Sequence, residues 1–164
     1  MIELIILDVD GTMTNGDISY TTDNKEIKTF NVKDGLAIAS WNKKLNKKTA
    51  IITGRTSTIV EKRAKELGVS YLYQGVDNKD EIIETILKKE NITWDDIAAI
   101  GDDLNDYKML SKAQLSFCPN DAVDDIKNLV SIVLEKNGGS GAIRQMIEYI
   151  LKYNKMDSLK SLWV

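Results

Sequence analysis

The stretch LIILDVDGTMTNG, residues 4–16, runs four apolar residues, Leu4 to Leu7, straight into Asp8 and Asp10 with one valine between them. A short unbroken apolar run bounded by turn-forming residues reads as a strand buried on both faces, as in a parallel sheet. Such a strand does not ordinarily end on paired carboxylates. Two like charges about 4 Å apart repel by roughly 4 kcal/mol at an effective dielectric of about 20, so the pair needs a cation.

Outward from this strand, short apolar runs alternate with amphipathic stretches. The spacing predicts strands over residues 2–9, 48–53, 70–73, 97–101, 115–118 and 131–134, and helices over 35–46, 56–67, 79–90, 104–112, 122–128 and 142–153. This alternation defines an α/β class: a Rossmann-like three-layer fold with a mostly parallel sheet, expected as one domain over residues 1–164. The segment DISYTTDNKEIKTFN, residues 17–31, breaks the rhythm. Its two β-rich arms around Thr22-Asp23-Asn24-Lys25 predict a β-hairpin inserted after the first strand.

Composition narrows the function classes. Hydrophobic residues make up 43% and charged residues 29%, the balance of a folded soluble domain. Lys and Arg total 22 against 25 Asp and Glu, a net charge of −3, which gives no footprint for nucleic acid. There is neither a basic leader with an apolar run nor a membrane-length span, so a cytoplasmic protein without a membrane partner is the expectation. The chain has no histidine, which excludes Ser-His and Cys-His catalysis and His-based zinc sites. The single Cys118, in the apolar-flanked LSFCP, reads as a packed thiol. Acid–base work falls to carboxylates, Lys or Tyr.

In open α/β sheets, binding crevices lie beyond the carboxyl ends of the strands. Those ends carry Asp8-Val9-Asp10-Gly11-Thr12, Thr53-Gly54-Arg55 and Gly101-Asp102-Asp103, with Asn105 and Asp106 just behind. Lys79 opens the helix before the last of these strands. Oxygen ligands without His or Cys favour Mg²⁺ over zinc. A dianionic phosphate meets the same repulsion as the paired acids, which a metal and Lys79 would offset. On this reading Asp8 is a nucleophile that forms an aspartyl phosphate, and Asp10 protonates the leaving oxygen and then activates water. Thr53 and Lys79 hold the transferring group's oxygens, and Asp102 completes the metal site.

As a set, DVDGT, IITGR, a lysine at a helix start and GDDLND resemble, in order and spacing, the four motifs of the haloacid dehalogenase superfamily of phosphatases. The resemblance spans most of the chain. It implies Asp8 as nucleophile and Asp10 as general acid–base. Asp8, the Asp10 backbone carbonyl and Asp102 are its Mg²⁺ ligands, with Asp103 and Asp106 supporting the metal and Lys79. The segments TNGDISYTTDNKEIKTFNVKDGLAI, TGRTSTIVEKRAKELGV, YQGVDNK and GGSGAIRQM are similar to the small capless branch that contains 3-deoxy-D-manno-octulosonate 8-phosphate phosphatase. That branch replaces the usual mobile cap with subunit packing. It implies a homotetramer with hairpins in a shared barrel, a sugar acid phosphate substrate, and a place in lipopolysaccharide precursor synthesis.

Lys33 and Asp34 would then lie beside the substrate at a subunit interface, with Gly54 and Arg55 also on the substrate. Arg55 favours the eight-carbon acid over the alternative nine-carbon acids, some of whose phosphatases carry an acid there. An arginine can pair a carboxylate in two-pronged fashion. The chain departs from the pattern at Ser140 in GGSGA, where members often have a basic residue.

Each of these residues also has a plainer reading. Asp8 and Asp10 could form a turn, Asp103 and Asp106 could start a helix, Thr53 could end a strand, and a lone Lys79 could be solvated surface. NKKLNKK, residues 42–48, reads as a helix end with favourable positive charge. An alternative of another class is a phosphate-accepting receiver module, built from acids, a Thr and a Lys around Mg²⁺. Receivers place the acceptor Asp at the end of a later strand, where this chain has Thr53. The C-terminal MDSLKSLWV, without a helix pattern for Leu159, Leu162 and Trp163, is expected to dock on an oligomer.

Overall fold

A computed structural model describes residues 1–164. The chain forms β1 (Leu4–Leu7), a short hairpin of β2 (Ser19–Tyr20) and β3 (Glu26–Ile27), then α1 (Val32–Ala39) and β4 (Lys48–Ile52). It continues through α2 (Thr58–Leu67), β5 (Tyr71–Tyr73), α3 (Lys79–Glu90), β6 (Ile97–Ile100) and α4 (Tyr107–Lys112). The last elements are β7 (Leu115–Cys118), α5 (Asp124–Lys127), β8 (Ile132–Val133) and α6 (Ala142–Tyr153). Six strands make one sheet in the order β5-β4-β1-β6-β7-β8, parallel at every pairing.

The acid-bearing strand is central. All four residues of β1 are buried, with Leu7 paired to Ile51 of β4 on one side and Ile100 of β6 on the other. The chain runs outward from β1 through β4 to β5, then returns to β6 on β1's other edge. The strand order therefore reverses at β1, where open α/β sheets form their crevice.

Side chains alternate across the sheet as the two-residue period of a strand requires. Ile5, Leu7, Ile51 and Ile100 join a core under α1, α2 and α6 that contains Trp41, Val60 and Ile147. Leu4, Ile6, Ile52 and Ala99 join a second core under α3, α4 and α5 that contains Ile83, Met109 and Ile126. The result is the expected three layers.

Several boundaries differ from the sequence reading for local reasons. Helix α1 starts three residues before its predicted start because the Asn31 side chain caps it, accepting from the Lys33 and Asp34 amides at 2.8 and 3.4 Å. It then widens into a π-helical turn over Ser40–Lys44. The hairpin pairs only two residues per arm, closing around Asn24 at φ 62°. The lysine-rich run ties segments together as well as ending the helix. Lys43 donates to the Glu66 carbonyl at 2.9 Å, and Lys47 pairs with Glu3 at 2.5 Å.

The C-terminal tail differs most. Leu159–Leu162 is a short 3₁₀ helix docked on its own chain. Lys44 donates to the Leu162 carbonyl at 2.7 Å, the Trp163 indole N–H donates to Ser40 Oγ at 3.1 Å, and Leu159 is buried. No helix is long and apolar enough to cross a membrane.

Candidate active site

The loop after β1 is wound tightly. The Val9 carbonyl accepts from the amides of Thr12, Met13 and Thr14 at 2.9 to 3.1 Å, and Gly11 sits at φ 93°, where a side chain would be strained. A Cβ on Gly11 would also fall 2.0 Å from an Asp102 carboxylate oxygen, so the glycine admits that acid to the loop. Thr12 Oγ1 donates to Asp102 at 3.4 Å. From the other side, the Gly139 amide donates to the Thr12 carbonyl at 3.0 Å.

Asp8 is buried at the end of β1, and Lys79 reaches it from the first turn of α3. An ammonium at a helix N-terminus faces the positive end of the helix dipole. Two carboxylates offset this: Lys79 Nζ lies 2.5 Å from Asp8 and 2.6 Å from Asp106, with all three side chains nearly inaccessible. Asp106 gives its second oxygen to the Asp102 and Asp103 amides at 3.0 and 3.4 Å, and Gly101 leaves room for it. Asp103, expected as metal support, turns its carboxylate to the Leu104 amide at 2.7 Å and is the cap of a 3₁₀ turn.

Oxygens of Asp8, Asp102 and Asp106 all lie within 4.8 Å of one another. Burial, then the neighbouring Asp106, raises the Asp8 carboxyl well above its usual range, against the pull of Lys79. Burial, and again Asp106, pushes Asp102 up to about 6. One lysine thus leaves this group of acids short of positive charge. Oxygen donors alone, negatively charged and close together, fit a hard divalent cation.

The remaining candidates spread around the crevice. Thr53 is buried at the end of β4, its amide bound to the Tyr73 carbonyl at 3.0 Å. Gly54 and Arg55 follow on an exposed bend, and Lys33 is exposed at the start of α1. Asp34, expected beside the substrate, is elsewhere engaged. It is buried, with its two oxygens accepting from the Arg144 and Gly141 amides at 2.8 and 3.3 Å. Asp34 therefore caps α6, whose own N-cap residue Gly141 has no side chain to do so.

The sequence reading missed two hairpin residues. Lys28, its side chain 3% exposed, pairs with Asp10 and lies 3.0 Å from Glu26. Glu26 also accepts from Arg55 Nη2 at 3.2 Å. Their signal was present in KEIKTF: residues two apart on a strand share a face. Gly138 and Gly139, which open the GGSGAIRQM segment of the family resemblance, press on the β1 loop so closely that a Cβ on Gly138 would fall 2.0 Å from the Gly11 carbonyl oxygen.

A parallel sheet with buried aspartates, a lysine and a threonine at its switch point defines a class of hydrolases that use an aspartate nucleophile. The family model for haloacid dehalogenase-like hydrolases matches residues 72–147. The chain is 38% identical over 160 residues to the 3-deoxy-D-manno-octulosonate 8-phosphate phosphatase of Salmonella typhi, covering 97% of this chain and 85% of that one. It is also similar to the solved structure of the Moraxella catarrhalis phosphatase of that name, in complex with magnesium ion, phosphate ion and KDO. That match has TM-score 0.89 and 38% identity, over 92% of this chain and 86% of the other. The cobalt-bound Haemophilus influenzae phosphatase matches with TM-score 0.88 and 34% identity, over 94% and 90% of the two chains. The chain belongs to the haloacid dehalogenase-like hydrolases, in the branch of these octulosonate phosphatases.

Proposed function

We propose that the chain is a Mg²⁺-dependent phosphatase that hydrolyses 3-deoxy-D-manno-octulosonate 8-phosphate, a step of lipopolysaccharide precursor synthesis. The observation that carries this reading is Asp8, a carboxylate buried at the end of β1 and held by Lys79 within an excess of acid. Asp8, the Asp10 backbone carbonyl and Asp102 would hold Mg²⁺. When bound, the ion neutralises the acids and the incoming phosphate's charge.

Asp8 attacks phosphorus, forming the aspartyl–phosphate bond as the bond from phosphorus to the sugar oxygen breaks. Asp10 gives that oxygen a proton. It then takes a proton from water, which attacks phosphorus and frees Asp8 and inorganic phosphate. Lys79 and Thr53 hold the phosphoryl oxygens, and Asp106 keeps Lys79 in place. Arg55 pairs with the sugar acid's carboxylate, with Gly54 leaving the bend open and Lys33 reaching the substrate from a neighbouring subunit. We assign Asp34 and Asp103 to shaping the site through α6 and the loop after β6.

The hairpin argues for a tetramer. Ile18, Tyr20 and Ile27 expose roughly half or more of their surface, and an isolated two-stranded hairpin is marginal in water. Packing hairpins together would cover them and close the crevice.

The test is phosphate release from eight-carbon and nine-carbon acid phosphates and from an aryl phosphate, with Mg²⁺ and after chelation. The highest kcat/KM is expected on the eight-carbon substrate, with turnover lost in EDTA and restored by Mg²⁺. Full activity after chelation and dialysis overturns the metal assignment. A persistent phospho-aspartate with no phosphate release would make the chain a receiver.

A further inference from the structure

The pairing around Arg55 has a feature that substrate binding must resolve. Glu26 Oε1 accepts from Arg55 Nη2 at 3.2 Å and lies 3.0 Å from Lys28 Nζ, while Arg55 Nε stands 4.0 Å from Asp10 Oδ2. The Nε–Nη2 edge of the guanidinium suits two-pronged pairing with a carboxylate, and it already faces two acids of the protein. Lys28 is likewise shared between Asp10 and Glu26. Of the two acids, Glu26 alone is hydrogen-bonded to Arg55, and it holds the Nη2 end of that edge. A substrate carboxylate that takes the Nε–Nη2 edge in two-pronged fashion must replace Glu26 at Nη2.

The two acids differ in how firmly they are held. Asp10 belongs to the loop braced by Val9, Thr14 and Gly139, whose position the chemistry requires. Glu26 sits on a two-residue strand whose only ladder partner is the other arm of the hairpin. Its side chain is already 19% exposed. Moving Glu26 is therefore the smaller disturbance.

We propose that Glu26 is a specificity-determining residue, a resident carboxylate that occupies Arg55 and Lys28 until the carboxylate of a sugar acid phosphate displaces it. This rests on the sugar acid reading above. Glu26 returns to the two cations as the dephosphorylated acid leaves, so it weakens product binding. Ligands that carry phosphate alone require no such exchange.

The test measures inhibition of aryl phosphate turnover by two probes, free 3-deoxy-D-manno-octulosonate and inorganic phosphate, in wild type, Glu26→Gln and Glu26→Asp. Exchange of one partly exposed charge-assisted contact predicts that Glu26→Gln lowers the Ki of the sugar acid, relative to that of phosphate, by about 3- to 10-fold. Glu26→Asp, which restores the charge on a shorter stem, should fall between. KM for the sugar acid phosphate should drop along with the Ki, without a rise in kcat. Taking the ratio of the two inhibitors within each variant cancels any loss of folded enzyme. An unchanged or increased ratio would mean that Glu26 builds the carboxylate site rather than competes for it, and overturns the proposal while the substrate reading stands. If wild-type enzyme is inhibited by phosphate and not at all by the sugar acid, the substrate reading itself fails and the proposal falls with it.

Discussion

The Asp8–Lys79–Asp106 triplet carries opposite consequences for its members. Removing Asp8's charge by Asp8→Asn leaves Lys79 paired with Asp106, and relieves both the burial of a charge at Asp8 and the repulsion that Asp106 and Asp102 exert on it. Turnover should fall to background while Tm in metal-free buffer stays level or rises. Lys79→Met leaves two buried acids without their cation and should cost about 3–5 kcal/mol of stability by denaturant unfolding. If both variants destabilise equally, the excess of acid is not what the local charges make it. Arg55→Gln is the cleaner substitution at the substrate position, since a glutamate there would face Glu26 and Asp10. It should lower kcat/KM on the sugar acid phosphate at least about tenfold more than on an aryl phosphate, the loss of one charge-assisted pair. Equal losses would make Arg55 structural.

At the scale of elements, the site depends on how α6 meets the β1 loop. Asp34 on α1 caps α6, and the segment just before α6 places Gly138 and Gly139 against Gly11, Thr12 and Thr14. A methyl group at residue 138 has no room beside the Gly11 carbonyl, which is backbone and cannot turn aside. Gly138→Ala should therefore shift the nucleophile loop and lower kcat by about 100-fold, the scale set by misplacing reacting groups by an ångström. Its circular dichroism should remain that of a folded α/β protein. Wild-type kcat in that variant would uncouple α6 from the nucleophile loop. The tail acts on the other end of the same layer: Trp163 and Lys44 pin the π-helical turn that follows α1.

For the whole molecule, the exposed hairpin sets the expectation. Tyr20 and Ile27 are 62% and 48% exposed, whereas Phe30 packs on the core beside Arg63 and is a poor place to introduce charge. Light scattering should give a tetramer for wild type. Tyr20→Glu with Ile27→Glu should give smaller species whose activity on the sugar acid phosphate falls more than that on an aryl phosphate. A monomeric double variant with unaltered sugar acid kinetics would show that each chain's crevice is sufficient alone.

The sequence by itself determined the α/β class, the three layers, the mostly parallel sheet, and the gathering of Asp8, Lys79, Asp102 and Asp106 at one edge. These were legible because strand and helix periods are local, and because parallel strands must all end at the same side. Tertiary structure alone decided that Asp34 caps α6, that Lys28 and Glu26 reach Asp10 and Arg55, and that the tail lies on its own chain. Each of those contacts joins groups that no period relates, 110 residues apart for Asp34 and Arg144 and 123 for Ser40 and Trp163. A carboxylate's role follows from which donors surround it, and for Asp34 those donors are backbone amides that every residue carries and no side-chain pattern announces.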